Sequence, residues 1–498
     1  MNTRDGSNSS VLYARQEVDI AGRDRGESAR LTGQMGVGAL ALSVLAFSAP
    51  MAVVSGFIPF TILFGGQGAT FAFILTTVLM ILFAVGYVTM AKHVPKPGDF
   101  YAFISSGLGK EIGLGCAFLA VISYVVVLAG TYAFFGISVT ALITSFHGPE
   151  TPWWIWTALA WVIVSTLGYF HIELSAKVLS FSLVAEVAVV MIFNVAVLAK
   201  GGSEGLSLTP IMPSAFAHGD MSVTLLFAIL VFLGFEATAL FRDEVRDPDK
   251  TIPRATYFAV VFVGILYALS SYTMISAYGH QAVDAATKSP STMFPEAIGK
   301  FVAPAFTQIS YGFVILSLIA ALISIHNVLA RYVFNLSVDK AVPTYFAAVH
   351  DRHCSPYRAS TAIAAVVAVG MLPFILQKTD ANTLYGRLTG LGSIGVILLM
   401  ALVSLSVIAW FARTGVPAGE NVFKVFIAPA VAVTSLGAVS IFALFHFDLV
   451  VGGNPGQNTA LELVLAGALI AGIVLAMYFR SAKPHVYDSL GRAQRMLE

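Results

Sequence analysis

The feature that most constrains this chain of 498 residues is a series of apolar runs of bilayer length. A helix needs about 20 mostly apolar residues to span a membrane. Such runs fall near 36–63, 69–91, 112–145, 153–171, 177–198, 222–243, 256–278, 303–330, 359–377, 388–412, 423–446 and 460–480. Only 11% of residues are charged and 57% are hydrophobic, whereas a soluble domain carries about a quarter charged residues. That much apolar surface has to face lipid. The expectation is an all-α membrane protein with 12 transmembrane helices. The formal charge of +1 gives bulk electrostatics no basis for a nucleic-acid partner.

Loop charge tests the span assignment. With the N-terminus inside, 23 of the 28 Lys and Arg residues fall on the cytosolic side. Lys200, Lys288, Lys300, Lys378 and Arg387 fall outside. Basic residues mark cytosolic loops, so both termini are expected in the cytosol. The tail at 1–34 is polar, with five arginines and no early apolar core. It reads as a disordered cytosolic segment and not as a signal peptide. Cys116 and Cys354 form neither a disulfide framework nor a metal spacing, and both are expected as free thiols. No G-x-x-x-x-G-K-S/T motif is present, so neither a cofactor nor ATP-driven chemistry is expected.

Two of the runs are interrupted. In the first, Phe47-Ser-Ala-Pro-Met-Ala-Val-Val-Ser-Gly56 puts Pro50 at mid-membrane, where it removes a backbone donor and clashes with the preceding turn. In the sixth, Gly234 weakens the helix by about 1 kcal/mol relative to Ala. Two residues later, Glu236 places a carboxyl where insertion costs about 2.5–3.5 kcal/mol. Freed backbone groups inside a bilayer have to be satisfied in a protein-lined cavity. An amino acid's carboxylate can take the N–H groups and its ammonium the C=O groups. Matched interruptions point to a substrate site in an inverted-repeat transporter. A proline kink with no ligand is the competing reading.

After the sixth run, Glu244-Val-Arg-Asp-Pro-Asp-Lys-Thr-Ile-Pro-Arg-Ala255 follows Phe232-Leu-Gly-Phe-Glu236 as a charged loop, with a helix expected to restart near Pro253. This E-x-x-D-P-x-x-x-I-P-R-A pattern after F-x-G-F-E resembles the amino acid–polyamine–organocation (APC) permeases. Further resemblances are His93-Val-Pro-Lys-Pro-Gly-Asp-Phe-Tyr101 with its following glycines, and Asn327, Arg331, Asp339, Pro343 and Pro356 at the family's N-x-x-x-R…D-x-x-x-P…P spacing. The resemblance covers about 35–415. It implies a LeuT-type 5+5 inverted repeat with broken helices 1 and 6, plus helices 11 and 12. The segments are then a tail at 1–34, repeats at 35–200 and 215–415, helices 11–12 at 420–480 and a tail at 481–498. The implied activity is secondary transport of amino acids or related amines into the cell across the plasma membrane by proton symport, with no enzymatic step. An amino acid/polyamine exchanger, a polyamine permease and a receptor on the same scaffold are alternatives.

The expected substrate site combines Ser48, Ala49, Pro50, Met51 and Ala52 with Phe232, Leu233, Gly234, Glu236 and Tyr124. Tyr132 is an equal candidate on the third helix. Lys177 resembles a lysine of proton-coupled members that stands where sodium-coupled relatives bind Na⁺, and snorkelling to the interface is its alternative. Glu186 lies nine residues on, about 180° around the helix and about 13 Å along it. It therefore cannot pair with Lys177, and it serves either as a second proton carrier or as a hydrogen-bonded structural acid. Glu236 either holds a substrate ammonium or caps freed backbone groups. Asp243, Glu244, Asn327 and Arg331 read as cytosolic gate or scaffold groups. Gly390, Gly392, Ser393 and Gly395 allow the tenth helix to pack closely. One departure stands out: the family's G-S/A-G triplet is replaced by Ser48-Ala-Pro-Met-Ala52. An amine, a polyamine or an unusual amino acid fits this break as well as an α-amino acid.

Overall fold

The structure is a computed structural model that describes residues 35–94, 100–170, 176–239, 242, 245–350, 353, 355–448 and 459–491. The described residues form helices, joined by one isolated parallel bridge between Met35 and Val245. In chain order the helices are α1 (Val37–Phe47), α2 (Pro50–Gly65), α3 (Ala69–His93), α4 (Phe100–Leu108), α5 (Lys110–Ser145) and α6 (Trp153–Tyr169). They continue with α7 (Ala176–Lys200), α8 (Met221–Leu230), α9 (Pro248–Tyr278), α10 (Ala282–Lys288), α11 (Met293–Phe301) and α12 (Ala305–Val338). The last are α13 (Tyr357–Leu376), α14 (Ala381–Thr414), α15 (Ala428–Phe445), α16 (Thr459–Ala482) and α17 (Pro484–Ser489).

Among the described residues, nine stretches are long and apolar enough to cross a bilayer. One of them, Pro50–His93, is 44 residues. At about 1.5 Å per residue it is roughly twice the hydrocarbon thickness, and the turn at Gly66–Gly68 divides it into α2 and α3. Trp153–Tyr169 and Met221–Leu230 are shorter apolar helices. The chain is thus a multi-pass membrane protein.

Both expected interruptions are present, and each has a local cause. At the first, α1 stops at Phe47 and Ala49 adopts a left-handed conformation (φ 47°). Pro50 then opens α2 at the first helical position, where its missing N–H costs nothing. At the second, Asp220 caps α8 by accepting from Ser222 N and Val223 N. The helix runs only to Leu230, and the chain turns through Gly234 at φ 110°, which only glycine adopts freely. A short 3₁₀ segment, Phe235–Ala239, follows. The charged loop differs from expectation in one respect: α9 begins at Pro248 and includes Pro253. Pro248 occupies the first helical position, so the helix starts a turn and a half early.

α5 lies at the centre, packed against α4, α6, α12, α14 and α16. The expected close approach of the tenth membrane helix is visible here. A Cβ at Gly392 would come within 2.8 Å of Ser123 O, and one at Gly395 would land on the Ser123 hydroxyl. α13, α15 and α16 present long apolar faces outward, as Val369, Leu376, Phe445 and Leu463 show.

Both ends of the described chain are tied down. Arg246 N–H donates to Met35 O at 2.9 Å, which fixes the entry to α1 beside the loop before α9. At the other end, Gly491 N–H donates to Tyr101 Oη (2.7 Å) and to Asp339 Oδ2 (3.0 Å). Val486 and Leu490 join a second apolar core with Tyr101, Leu114, Leu336 and Ala341. Lys110 Nζ reaches Tyr487 O and Asp488 O at 3.0 Å each.

Candidate substrate site

The two interruptions face one small cavity of about 60 Å³. Ser48, Ala49, Ala52 and Val53 line it from the first break, and Leu230, Val231 and Leu233 from the second. The remaining wall comes from Phe57 on α2, from Val127, Thr131 and Phe134 on α5, from α12, and from Tyr385 on α14. Among the described residues, no charged side chain lines the cavity. A smaller space of about 10 Å³ lies beside it, bounded by Ser48, Phe232, Leu233 and Phe235.

The N-terminus of α2 carries donors with no partner inside the helix. Pro50 has none to offer, and Val53 N–H returns to Ala49 O (3.1 Å). Met51 N–H donates to Glu186 Oε2 at 3.3 Å, and Ala52 N–H donates to Ser317 Oγ at 3.3 Å. Ser317 in turn donates to Glu186 Oε2 at 2.7 Å, and Ser182 donates to Glu186 Oε1 at 2.9 Å. A carboxyl from α7 therefore sits on the positive end of α2, where an anion gains up to about 2 kcal/mol in a buried setting. Nearby, Ser48 Oγ and Tyr267 Oη share a hydrogen bond of 2.9 Å.

The second break is closed in the same way, from within. Gly234 N–H donates to Glu236 Oε2 (2.8 Å), and Tyr124 Oη donates to Glu236 Oε1 (2.9 Å). Tyr87 Oη donates to Glu236 O (2.7 Å), so α3, α5 and the 3₁₀ segment meet at this residue. Phe232 N–H and Leu233 N–H are taken by Ile229 O and Leu230 O. Among the described residues, neither Glu186 nor Glu236 forms an ion pair. All the acceptor capacity used by these two acids goes to backbone amides and hydroxyls.

Of the residues expected from sequence, Ser48, Ala49, Ala52 and Leu233 line the larger cavity and Phe232 the smaller one. Pro50 and Met51 shape the start of α2. Gly234, Glu236 and Tyr124 form the closure just described and do not line the cavity. Tyr132 is buried without lining it, and its hydroxyl has no partner among the described residues. Asn327 is buried on α12, and Arg331 is exposed one turn later. Lys177 lies in α7, but its side chain is outside the described residues, as are Asp243 and Glu244. Cys116 is a buried free thiol, and Cys354 is also outside the described residues.

Sequence reasoning missed Tyr385. It is 2% exposed, its ring stacks on Phe134 with centroids 4.6 Å apart, and its hydroxyl has no partner among the described residues. The expected tenth helix began at 388, because the charge of Arg387 cut the apolar run. The observed helix starts at Ala381, capped by Asp380, and brings Tyr385 to the cavity.

Comparison with known proteins finds similarity along most of the chain. The family model for amino acid permeases matches residues 43–486. A branched-chain amino acid permease of Bacillus subtilis is 24% identical over 437 residues, 84% of this chain and 87% of the relative. The chloroplastic cationic amino acid transporter 7 of Arabidopsis thaliana is 25% identical over 368 residues, 70% of this chain but only 60% of the relative. A methylthioribose transporter of Bacillus subtilis is 21% identical over 385 residues, 75% of this chain and 79% of the relative.

Proposed function

The chain belongs to the amino acid permease family, and on that premise we propose that it is a secondary active transporter importing a small amine-bearing substrate, an amino acid or a related amine, by alternating access. The supporting observation is the cavity between two helix breaks, one at Ser48–Ala49 and one at Val231–Gly234. Its apolar, uncharged lining favours a neutral side chain over a lysine-like one, because a second buried charge would have no partner there.

In this reading twelve helices span the plasma membrane with both termini in the cytosol. Residues 35–200 and 215–415 form the two inverted repeats, and 420–480 adds two outer helices. The tails are 1–34 and 481–498. The broken helices move relative to the rest of the bundle. Lys177 and Glu186 couple transport to protons. Protonating Glu186 weakens the acceptor that holds Met51 N–H and Ser317, and so loosens α2 from α7 and α12. Asp243, Glu244, Asn327 and Arg331 form the cytosolic gate. The lipid bilayer is the other partner.

The test is uptake by purified protein in liposomes, with labelled amino acids and amines under separately imposed proton and sodium gradients. Proton-driven uptake that is lost in Lys177→Ala and in Glu186→Gln is the expected result. Sodium-driven uptake refutes the coupling assignment. Absence of uptake for every compound, with correctly folded protein, refutes transport itself.

A further inference from the structure

Among the described residues, the side chains lining the cavity that carry a hydrogen-bonding group are Ser48, Thr131 and Tyr385. Two of them are spent on the protein itself. Ser48 Oγ shares its hydrogen bond with Tyr267 Oη, and Thr131 Oγ1 donates to Val127 O at 2.8 Å. The Tyr385 hydroxyl is buried and bonds nothing among the described residues. Buried side-chain hydroxyls are as a rule hydrogen-bonded, so an exception in the wall of a cavity calls for a partner.

The surroundings hold this hydroxyl in one place. The ring stacks on Phe134, and Phe57 and Phe60 flank it with centroids 5.8 and 5.5 Å away. Gly56 makes the room, because a Cβ there would land on the Tyr385 hydroxyl. Gly56 lies one turn beyond Ala52, on the face of α2 that Ala52 and Val53 turn to the cavity. The hydroxyl therefore meets the wall of α2 about 6 Å along the helix axis from Ala52. The lining around it, Val53, Phe57, Val127 and Phe134, is apolar, so it suits an uncharged group and not an ion. The other end of the cavity differs. There α2 presents its positive N-terminus, and Ala49 N–H has no acceptor among the described residues. Size sets a further limit: about 60 Å³ admits roughly four to six waters, the bulk of a small amino acid and less than that of an aromatic one.

We infer that Tyr385 is the specificity-determining residue of this site: its hydroxyl binds the side-chain hydroxyl of a small, uncharged amino acid of the serine or threonine kind, whose carboxylate lies at the N-terminus of α2. The inference rests on the transport reading above and narrows its substrate. Both hydroxyls can donate and accept, so either can take either role. A hydrocarbon side chain of the same shape fits the space but leaves the Tyr385 hydroxyl unpaired, and a site built on a hydrogen bond discriminates against the isostere that lacks it.

The test is binding of two isosteric pairs to the purified full chain by scintillation proximity: threonine with valine, and serine with 2-aminobutyrate. In the wild type the hydroxyl-bearing member of each pair binds about tenfold more tightly. In Tyr385→Phe that ratio falls to about one, while the variant melts at or above the wild-type temperature. A wild type that binds valine and 2-aminobutyrate as tightly as their partners overturns the inference, and so does a preference that survives in Tyr385→Phe. If none of the four compounds binds, the inference falls as well. Uptake of any other amino acid in the liposome experiment would then leave the transport reading standing, so the two can fail separately.

Discussion

Replacing Glu186 tests whether its carboxyl holds the first break together. In Glu186→Ala, Met51 N–H loses its acceptor, while Ser317 and Ser182 can turn their hydroxyls toward helix carbonyls. An orphaned buried donor costs about 1–3 kcal/mol. Loss of the carboxyl oxygens from the positive end of α2 adds to that cost. A total near 3 kcal/mol is expected. Unfolding entropy of about 2.1 cal/mol/K per residue gives roughly 1 kcal/mol/K for a chain of this length, so the apparent melting temperature falls by about 3 °C. Glu186→Gln keeps an oxygen that can accept from Met51 and Ser317 and loses only the charge. Its expected drop is about 1 °C. Tryptophan fluorescence on protein in detergent, at one scan rate for all variants, measures both. An alanine variant that melts with the wild type would refute the role, as would a glutamine variant that falls as far as alanine.

Other positions give independent checks. Tyr385→Phe removes a hydroxyl that bonds nothing in the described protein, so the empty protein should melt at or above the wild-type temperature; a clear loss of stability would show that the hydroxyl has a structural partner. Gly395→Leu places atoms on the Ser123 hydroxyl and should destabilise by about 1–3 kcal/mol through overpacking, read from the same melts. Between α14 and α15, burial alone would push the Glu420 carboxyl up, but Lys424 (2.9 Å) and Lys92 (3.5 Å) outweigh it and hold it below the usual carboxylate range. The stability from Glu420 is therefore fully present above the ordinary glutamate value and is lost as pH falls through the depressed folded value. Glu420→Gln should flatten the acid side of the melting profile, and an unchanged profile would refute the ion pairs.

The parts of this molecule legible in the sequence are those where one residue acts on its own backbone. Pro50 and Gly234 interrupt helices by what they are: α1 ends three residues before Pro50, and α8 ends four residues before Gly234. Gly392 and Gly395 advertise a close approach by lacking a side chain. The filling of the breaks was not legible, because it is tertiary. Glu186 meets Met51 across 135 positions of chain, and Ser317 reaches it across 131. Nothing local distinguishes a glutamate that caps a distant helix from one that carries protons. Tyr385 was lost for a simpler reason: a hydropathy window ends at the first charge, and Arg387 ended it early. The second core around Tyr101 and Leu490 left no pattern either, because it joins segments that are far apart in sequence and individually unremarkable in composition.

That second core also sets an order of assembly. Asp339 is 2% exposed, yet its carboxyl is completed by the amide of Gly491, a residue synthesised about 150 positions later. A nascent chain whose helices have all inserted still presents Tyr101, Leu114 and Leu336 uncovered on one side until Val486 and Leu490 leave the ribosome. Closure of this face therefore waits on a segment made after the last of the described long helices. A chain terminated after Ala482 would complete its spans and still lack the segment that covers them, leaving an apolar surface for quality control to detect.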